Sequence, residues 1–182
     1  MMPTPDPNQR DLDLVRRFQA GDESAFDRLV ETHRRDLYRL AYRLAGNHAD
    51  ADDMAQETFL RIYRSLGRFR RESSFRTWAT RILLNLATDR RRELANQRQS
   101  SLEDLGPSEH PCTPGGQGTV LRDEALRKAV GCLPRRQRET LILRVFEEMK
   151  FHEIAAVMGC TIGTAKANFF HALRRLRQRV RG

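Results

Sequence analysis

Apolar residues recur along this chain at intervals of three and four, the period of a helix, wherever a pattern is present. Leu14, Val15 and Phe18 share one face of a first helix that Gly21 ends. Asp22 is placed to cap a second helix, whose apolar positions are Phe26, Leu29, Val30, Leu37, Leu40, Ala41 and Leu44, with Gly46 and Asn47 as its stop. Met54, Ala55, Phe59, Ile62 and Tyr63 place a third helix over 49–66. Residues 67–73 read as a loop, and Ser74 is a cap for a fourth helix carrying Phe75, Trp78, Ala79, Ile82, Leu83 and Leu86. No alternating β-branched run is flanked by hairpin turns. The expected fold class is all-α.

The periodicity fails between Gln97 and Leu121, a stretch with three prolines and four glycines. Such a composition predicts a flexible linker able to hold two modules tens of ångströms apart. We therefore expect a disordered N-terminus over 1–10, one helical domain over 11–97, a linker over 98–121 and a second helical domain over 122–182.

The second domain carries the sharpest local pattern. Phe151, Ile154, Ala155 and Met158 form one face of a short helix, which Gly159-Cys160-Thr161 breaks. Thr161 caps a longer helix that buries Ile162, Ala165, Phe169, Ala172, Leu173 and Leu176. A small residue, a turn glycine and two apolar residues at this spacing predict a helix-turn-helix. The small residue lets two helices cross closely, and the glycine supplies the backbone freedom of the turn. Thr164, Lys166, Asn168, Phe170, His171, Arg174 and Arg175 are then expected on the outward face, where they can reach base edges and phosphates of a major groove.

Charge adds a partner to this picture. The 182 residues carry a formal net charge of +9. It is concentrated: residues 67–98 hold +6 and residues 134–182 hold +7, whereas 1–66 and 99–133 are each −2. Neutralising phosphates is the main source of nucleic-acid affinity, so two basic blocks predict a polyanion met in two places. The first block interleaves Arg68, Arg70, Arg71, Arg76, Arg81 and Arg90-Arg91-Arg92 with Phe69, Phe75 and Trp78. Cations and flat apolar surfaces suit a single strand with unstacked bases. Spacing assigns Phe75, Trp78 and Ile82 to the core, which leaves Phe69 and its loop as the base-contacting candidates.

Other classes fall away. No apolar run approaches the roughly 18–20 residues of a membrane span, and 1–10 has no apolar segment of a signal peptide. Cys112, Cys132 and Cys160 are far apart and form no CxxC pair, which speaks against a disulfide framework and a standard zinc finger and for a reducing cytoplasm. Ser-His-Asp sets, phosphate loops and HExxH are missing, and Ala156 stands where a second histidine would follow His152. We expect no enzyme, no metal, no cofactor and no small-molecule substrate.

Taken together, three segments resemble the extracytoplasmic-function (ECF) group of bacterial sigma factors. Asp50-Ala-Asp-Asp-Met-Ala-Gln-Glu-Thr-Phe-Leu-Arg-Ile-Tyr63 is similar to the helix that docks on core RNA polymerase. Phe69-Arg-Arg-Glu-Ser-Ser-Phe-Arg-Thr-Trp78, continuing through Asn85-Leu-Ala-Thr-Asp-Arg90, resembles the segment that melts and reads the −10 element. Leu133-Pro-Arg-Arg-Gln-Arg-Glu139 and the run from Glu153 to Lys166 resemble the −35 reader.

The resemblance implies that Asp52, Asp53, Gln56, Glu57 and Arg61 face polymerase, with Phe59 and Leu60 at or beneath that surface. It implies that Arg68, Phe69, Arg70, Arg71, Ser73 and Ser74 capture an extruded non-template base, an extrusion costing a few kcal/mol. Asn85, Asp89, Arg90 and Arg91 would line the adjoining DNA face, and Lys166, Asn168, Phe170, His171 and Arg174 would enter the −35 groove. An anti-sigma factor is a further implied partner. An autonomous helix-turn-helix regulator is the competing reading, and it has no need of the 50–63 docking helix.

Two departures stand out. Lys150 replaces the usual Ser cap of the motif's first helix, a loss of about 1 kcal/mol. The common Val-Lys-Ser-Arg run is Ala165-Lys166-Ala167-Asn168 here. Asn favours adenine where Arg favours guanine, which predicts an altered −35 preference.

Overall fold

The computed structural model describes residues 6–100 and 129–180. Its helices are α1 (Pro7–Gln19), α2 (Ser24–Ala45), α3 (His48–Leu66), α4 (Phe75–Ser100), α5 (Arg135–Val145), α6 (Phe151–Met158) and α7 (Ile162–Val180). No strand occurs among the described residues, in line with the all-α expectation.

The helix ends follow from local chemistry, with three corrections. Asp6 accepts the Asn8 N–H at 3.2 Å and starts α1 at Pro7, so helix replaces the disorder expected over 7–10. Asp22 does not cap α2; its carboxylate instead accepts from the Ser24 hydroxyl and from Arg17, which together hold it below the usual carboxylate range. The linker expected from 98 starts later, because α4 runs through Ser100; the remainder of that stretch lies outside the described residues. Asn47 caps α3 through the Asp50 N–H (2.9 Å). Ser74 caps α4 through the Thr77 N–H (3.1 Å).

Helices α1 to α4 pack on one another, and α5 to α7 form the second unit. Leu29, Leu40, Ile62, Leu66, Phe75 and Leu83 are buried at the centre of the first unit. Asp11 and His33, 2.9 Å apart and both buried, tie α1 to α2. Leu133, Leu141 and Ala172 with Val130, Phe169, Leu173 and Leu176 fill the space between α5 and α7.

The halves also touch. One continuous apolar cluster includes Leu83 and Leu84 of α4 together with Ile142, Ile154, Val157 and Met158, and α4 packs directly on α6. Among the cysteines, Cys160 is a free, half-buried thiol. Cys112 lies outside the described residues.

Candidate functional site

The outward side of α3 is set by its inward one. Ala51, Met54, Ala55, Thr58, Ile62 and Leu66 face the core, so Asp52, Asp53, Gln56 and Leu60 are left exposed while Glu57, Phe59 and Arg61 are half-buried. Leu60 is 51% exposed, an apolar side chain among acidic and amide groups. Tyr63, one of the residues at helical spacing that mark this helix, is 43% exposed and continues this stripe; its ring rests edge-on against Phe18 and Phe26. The 52, 56, 60, 63 spacing carries the signal for it. Arg61 is committed within the fold: it donates to Glu57 at 2.9 Å and pairs with Asp89 of α4 at 3.5 Å. The guanidinium beside Glu57 holds that carboxyl below its ordinary range.

The loop between α3 and α4 presents Arg68, Arg70 and Arg71 to solvent, with Ser73 and Ser74 half-buried. Arg71 has φ of 60°, a left-handed conformation that side chains other than glycine seldom adopt. Phe69 departs from its expected role as an exposed base platform. It is 7% exposed and stacks on Trp78 with ring centroids 4.6 Å apart. The loop folds back because Gln19 of α1 donates its amide to the carbonyls of Leu66 (3.1 Å) and Phe69 (3.0 Å). A glutamine after a helical run gives no sequence signal for that tether. Asn85 is exposed on α4, and Asp89, Arg90 and Arg91 are half-buried beyond it.

In the second half α6 and α7 meet at the predicted turn, where Gly159 has φ of 61°. That left-handed value is the one position in the motif where glycine is required. Thr161 accepts the Thr164 N–H at 3.1 Å, so it caps α7 as expected. Lys150 offers no acceptor to the start of α6. Glu153 compensates in part by accepting the Lys150 N–H at 2.7 Å. Ala165 and Ala172 anchor α7 inward, which exposes Thr164, Lys166, Phe170, His171, Arg174 and Arg175. Phe170 is 64% exposed. Asn168 sits apart from them, half-buried on the flank beside Phe169, while Gly163 and Ala167 share the outward stripe with Arg174.

Comparison with known proteins decides the family. The Sigma-70 region 2 model matches residues 29–97 and the Sigma-70 region 4 model matches residues 123–176. The RNA polymerase sigma-H factor of Pseudomonas aeruginosa is 34% identical over 176 residues, covering 90% of each chain. The ECF RNA polymerase sigma-E factor of Escherichia coli K12 is 31% identical over 169 residues, covering 87% of this chain and 88% of that one. This chain is an ECF sigma factor. The solved structure of the sigma factor RpoE in complex with the anti-sigma factor NepR from Bartonella quintana superposes with a TM-score of 0.70 at 26% identity, covering 86% of this chain and 96% of that one. No helix of the described residues is long and apolar enough to cross a membrane.

The electrostatics of this sigma factor are most unusual where its halves meet. Glu139 is 2% exposed, and burial raises its carboxyl pKa against the opposing pull of Arg135, Arg91, Arg136 and Arg138. Burial lowers Arg91 and Arg138 from the ordinary arginine value. Glu147, also buried, accepts from Arg43 of α2 at 2.7 Å and from Arg76 of α4 at 3.1 Å. Arg135 donates to the Thr88 hydroxyl at 2.7 Å. Local periodicity says nothing of these pairs, because each joins residues about fifty to a hundred positions apart in the chain.

Proposed function

We propose that this sigma factor docks on core RNA polymerase through the exposed side of α3, opens promoter DNA with the 68–74 loop and α4, and reads a −35 element with α7. The observation that carries this reading is the division of surface chemistry. One helix offers acidic and amide groups around Leu60, and two separate surfaces offer exposed arginines. A polar rim around an apolar contact suits a protein partner, whereas arginine clusters suit phosphate. In the −10 role, Arg68, Arg70 and Arg71 meet the backbone while Ser73 and Ser74 shape the recess for the extruded base. Phe69 supports that recess from beneath by stacking on Trp78. In the −35 role, His171 and Arg174 sit centrally, and Lys166 and Arg175 take flanking phosphates. We also propose a cytoplasmic site of action, control by an anti-sigma factor that engages both halves, and domain limits near those read from the chain.

Run-off transcription on a genomic promoter pool with purified core polymerase tests the reading. Adding the protein creates new start sites, and substituting Asp52, Gln56 and Leu60 together by alanine abolishes them while duplex binding by the C-terminal half persists. A protein that binds duplex promoters tightly alone and adds no start site is an autonomous regulator instead.

A further inference from the structure

The 68–74 loop is fastened from α1, a helix that precedes the residues matched to region 2. Gln19, the last residue of α1, donates from its one amide nitrogen to two carbonyls, Leu66 at 3.1 Å and Phe69 at 3.0 Å. The Leu66 carbonyl ends α3 and also accepts the Phe69 N–H at 3.1 Å. The Phe69 carbonyl belongs to the loop itself. The helix behind this amide is a firm support: Val15 is fully buried, Phe18 packs against Phe26 and Tyr63, and Asp11 pairs with His33 of α2.

The exit of the loop is fixed as well. Ser74 accepts the Thr77 N–H at 3.1 Å and donates its hydroxyl to Thr77 Oγ1 at 2.8 Å. Between these two ends, residues 70–73 make no backbone hydrogen bond among the described residues, and Arg71 keeps a left-handed φ of 60°. A residue with a side chain persists in that conformation only where its surroundings over-determine it. Here the surroundings are the two fixed ends. Without the Gln19 amide the entry is left with one backbone hydrogen bond and the stacking of Phe69 on Trp78.

We propose that Gln19 is a positioning residue for promoter opening: without touching DNA, it holds the 68–74 loop in the conformation that receives the extruded base. A loop that is competent for a smaller fraction of the time binds the base proportionately less well. Loss of two neutral hydrogen bonds lowers that fraction about tenfold. This inference rests on the −10 assignment made above.

Gln19→Met tests it, because methionine keeps the length and neutrality of the side chain and removes both donors. Gln19 is exposed, so the exchange leaves no cavity. Gln9→Met makes the same exchange at the exposed far end of α1 and serves as control. Each full-length variant is assembled with core polymerase on a promoter recovered from the run-off pool, and opening is followed by permanganate reactivity of unpaired thymines. Gln19→Met opens the promoter about tenfold more slowly than wild type and Gln9→Met, while holoenzyme assembly and −35 duplex binding are unchanged. An abasic scan of the non-template −10 strand gives the second readout. At the captured base, removal costs Gln19→Met about tenfold less than it costs wild type, so the two open at one rate. A merely structural role leaves the two losses additive at every position. Opening at the wild-type rate, or additive losses throughout, overturns the proposal. Arg70→Ala separates the brace from the assignment beneath it. If Arg70→Ala opens at the wild-type rate, the −10 assignment fails and the proposal with it; a slow Arg70→Ala beside a normal Gln19→Met overturns the brace and leaves the assignment standing.

Discussion

Truncating Phe69 separates two roles that the same residue can play. A phenylalanine that stacks on an extruded base is dispensable for folding, and its loss abolishes promoter opening at unchanged stability. The structure instead places Phe69 under the arginine loop, 7% exposed and stacked 4.6 Å from Trp78. Core Phe→Ala substitutions cost about 3–5 kcal/mol through lost transfer energy and the cavity left behind, and aromatic stacking adds ~1 kcal/mol beyond burial. The loop above can partly collapse into the space, so we take about 3 kcal/mol for Phe69→Ala. With a urea dependence of ~2 kcal/mol per molar for a domain of this size, the unfolding midpoint falls by about 1.5 M. Trp78 is the only tryptophan in the chain, and it touches the substituted ring, so its fluorescence reads the N-terminal half directly. Arg70→Ala and Arg71→Ala, at exposed positions, stay within about 0.5 kcal/mol of wild type while impairing promoter opening. A Phe69→Ala midpoint within about 0.3 M of wild type, with opening lost, refutes the packing argument.

Three further outcomes follow from single contacts. Lys150→Ser supplies the acceptor that the start of α6 lacks and stabilises the C-terminal half by about 1 kcal/mol in thermal unfolding; no change in Tm means Glu153 already completes the cap. Because burial raises the Glu139 pKa, the folded state binds the proton more tightly than the unfolded chain. Wild type therefore gains stability relative to Glu139→Gln as pH falls from neutral toward the unfolded carboxylate range near ~4.3, and denaturation at several pH values shows the variant's advantage shrinking or its deficit growing; the opposite trend contradicts the burial account. Arg174→Ala weakens −35 duplex binding and reduces its salt slope by about one, whereas selection from a randomised −35 library with Asn168→Arg shifts preference only if Asn168 leaves its flank to reach a base.

Much of the fold was legible because its signals are local. The Ser74, Asn47 and Thr161 caps act within three residues, and the Gly159 turn needs only its own backbone angle. The apolar faces of α2 and α4 follow a 3.6-residue period, and α7 does so except at its first residue, Ile162, which is expected inward but is 47% exposed. Legibility ended where a residue's partner is far away. An aromatic ring among five arginines reads as surface until Gln19 is seen to pull the loop back over Trp78. Asn168 reads as outward by composition, yet Ala165 and Ala172 fix the roll of α7 and turn it to the flank. Tyr63 keeps the helical spacing of α3, yet the packing of Phe18 and Phe26 leaves its edge exposed.

The charge along the chain and the charge in the fold are arranged differently. Blocks of +6 and +7 in one short chain ought to keep its halves apart, since like charges repel over about a Debye length. They meet nonetheless, because acidic residues of the second block are placed at the contact. Of its four carboxylates, Glu147 neutralises Arg43 and Arg76, and Glu139 lies among Arg135, Arg91, Arg136 and Arg138. The contact between two basic halves therefore rests on where the second block places its few acidic residues, not on its net charge.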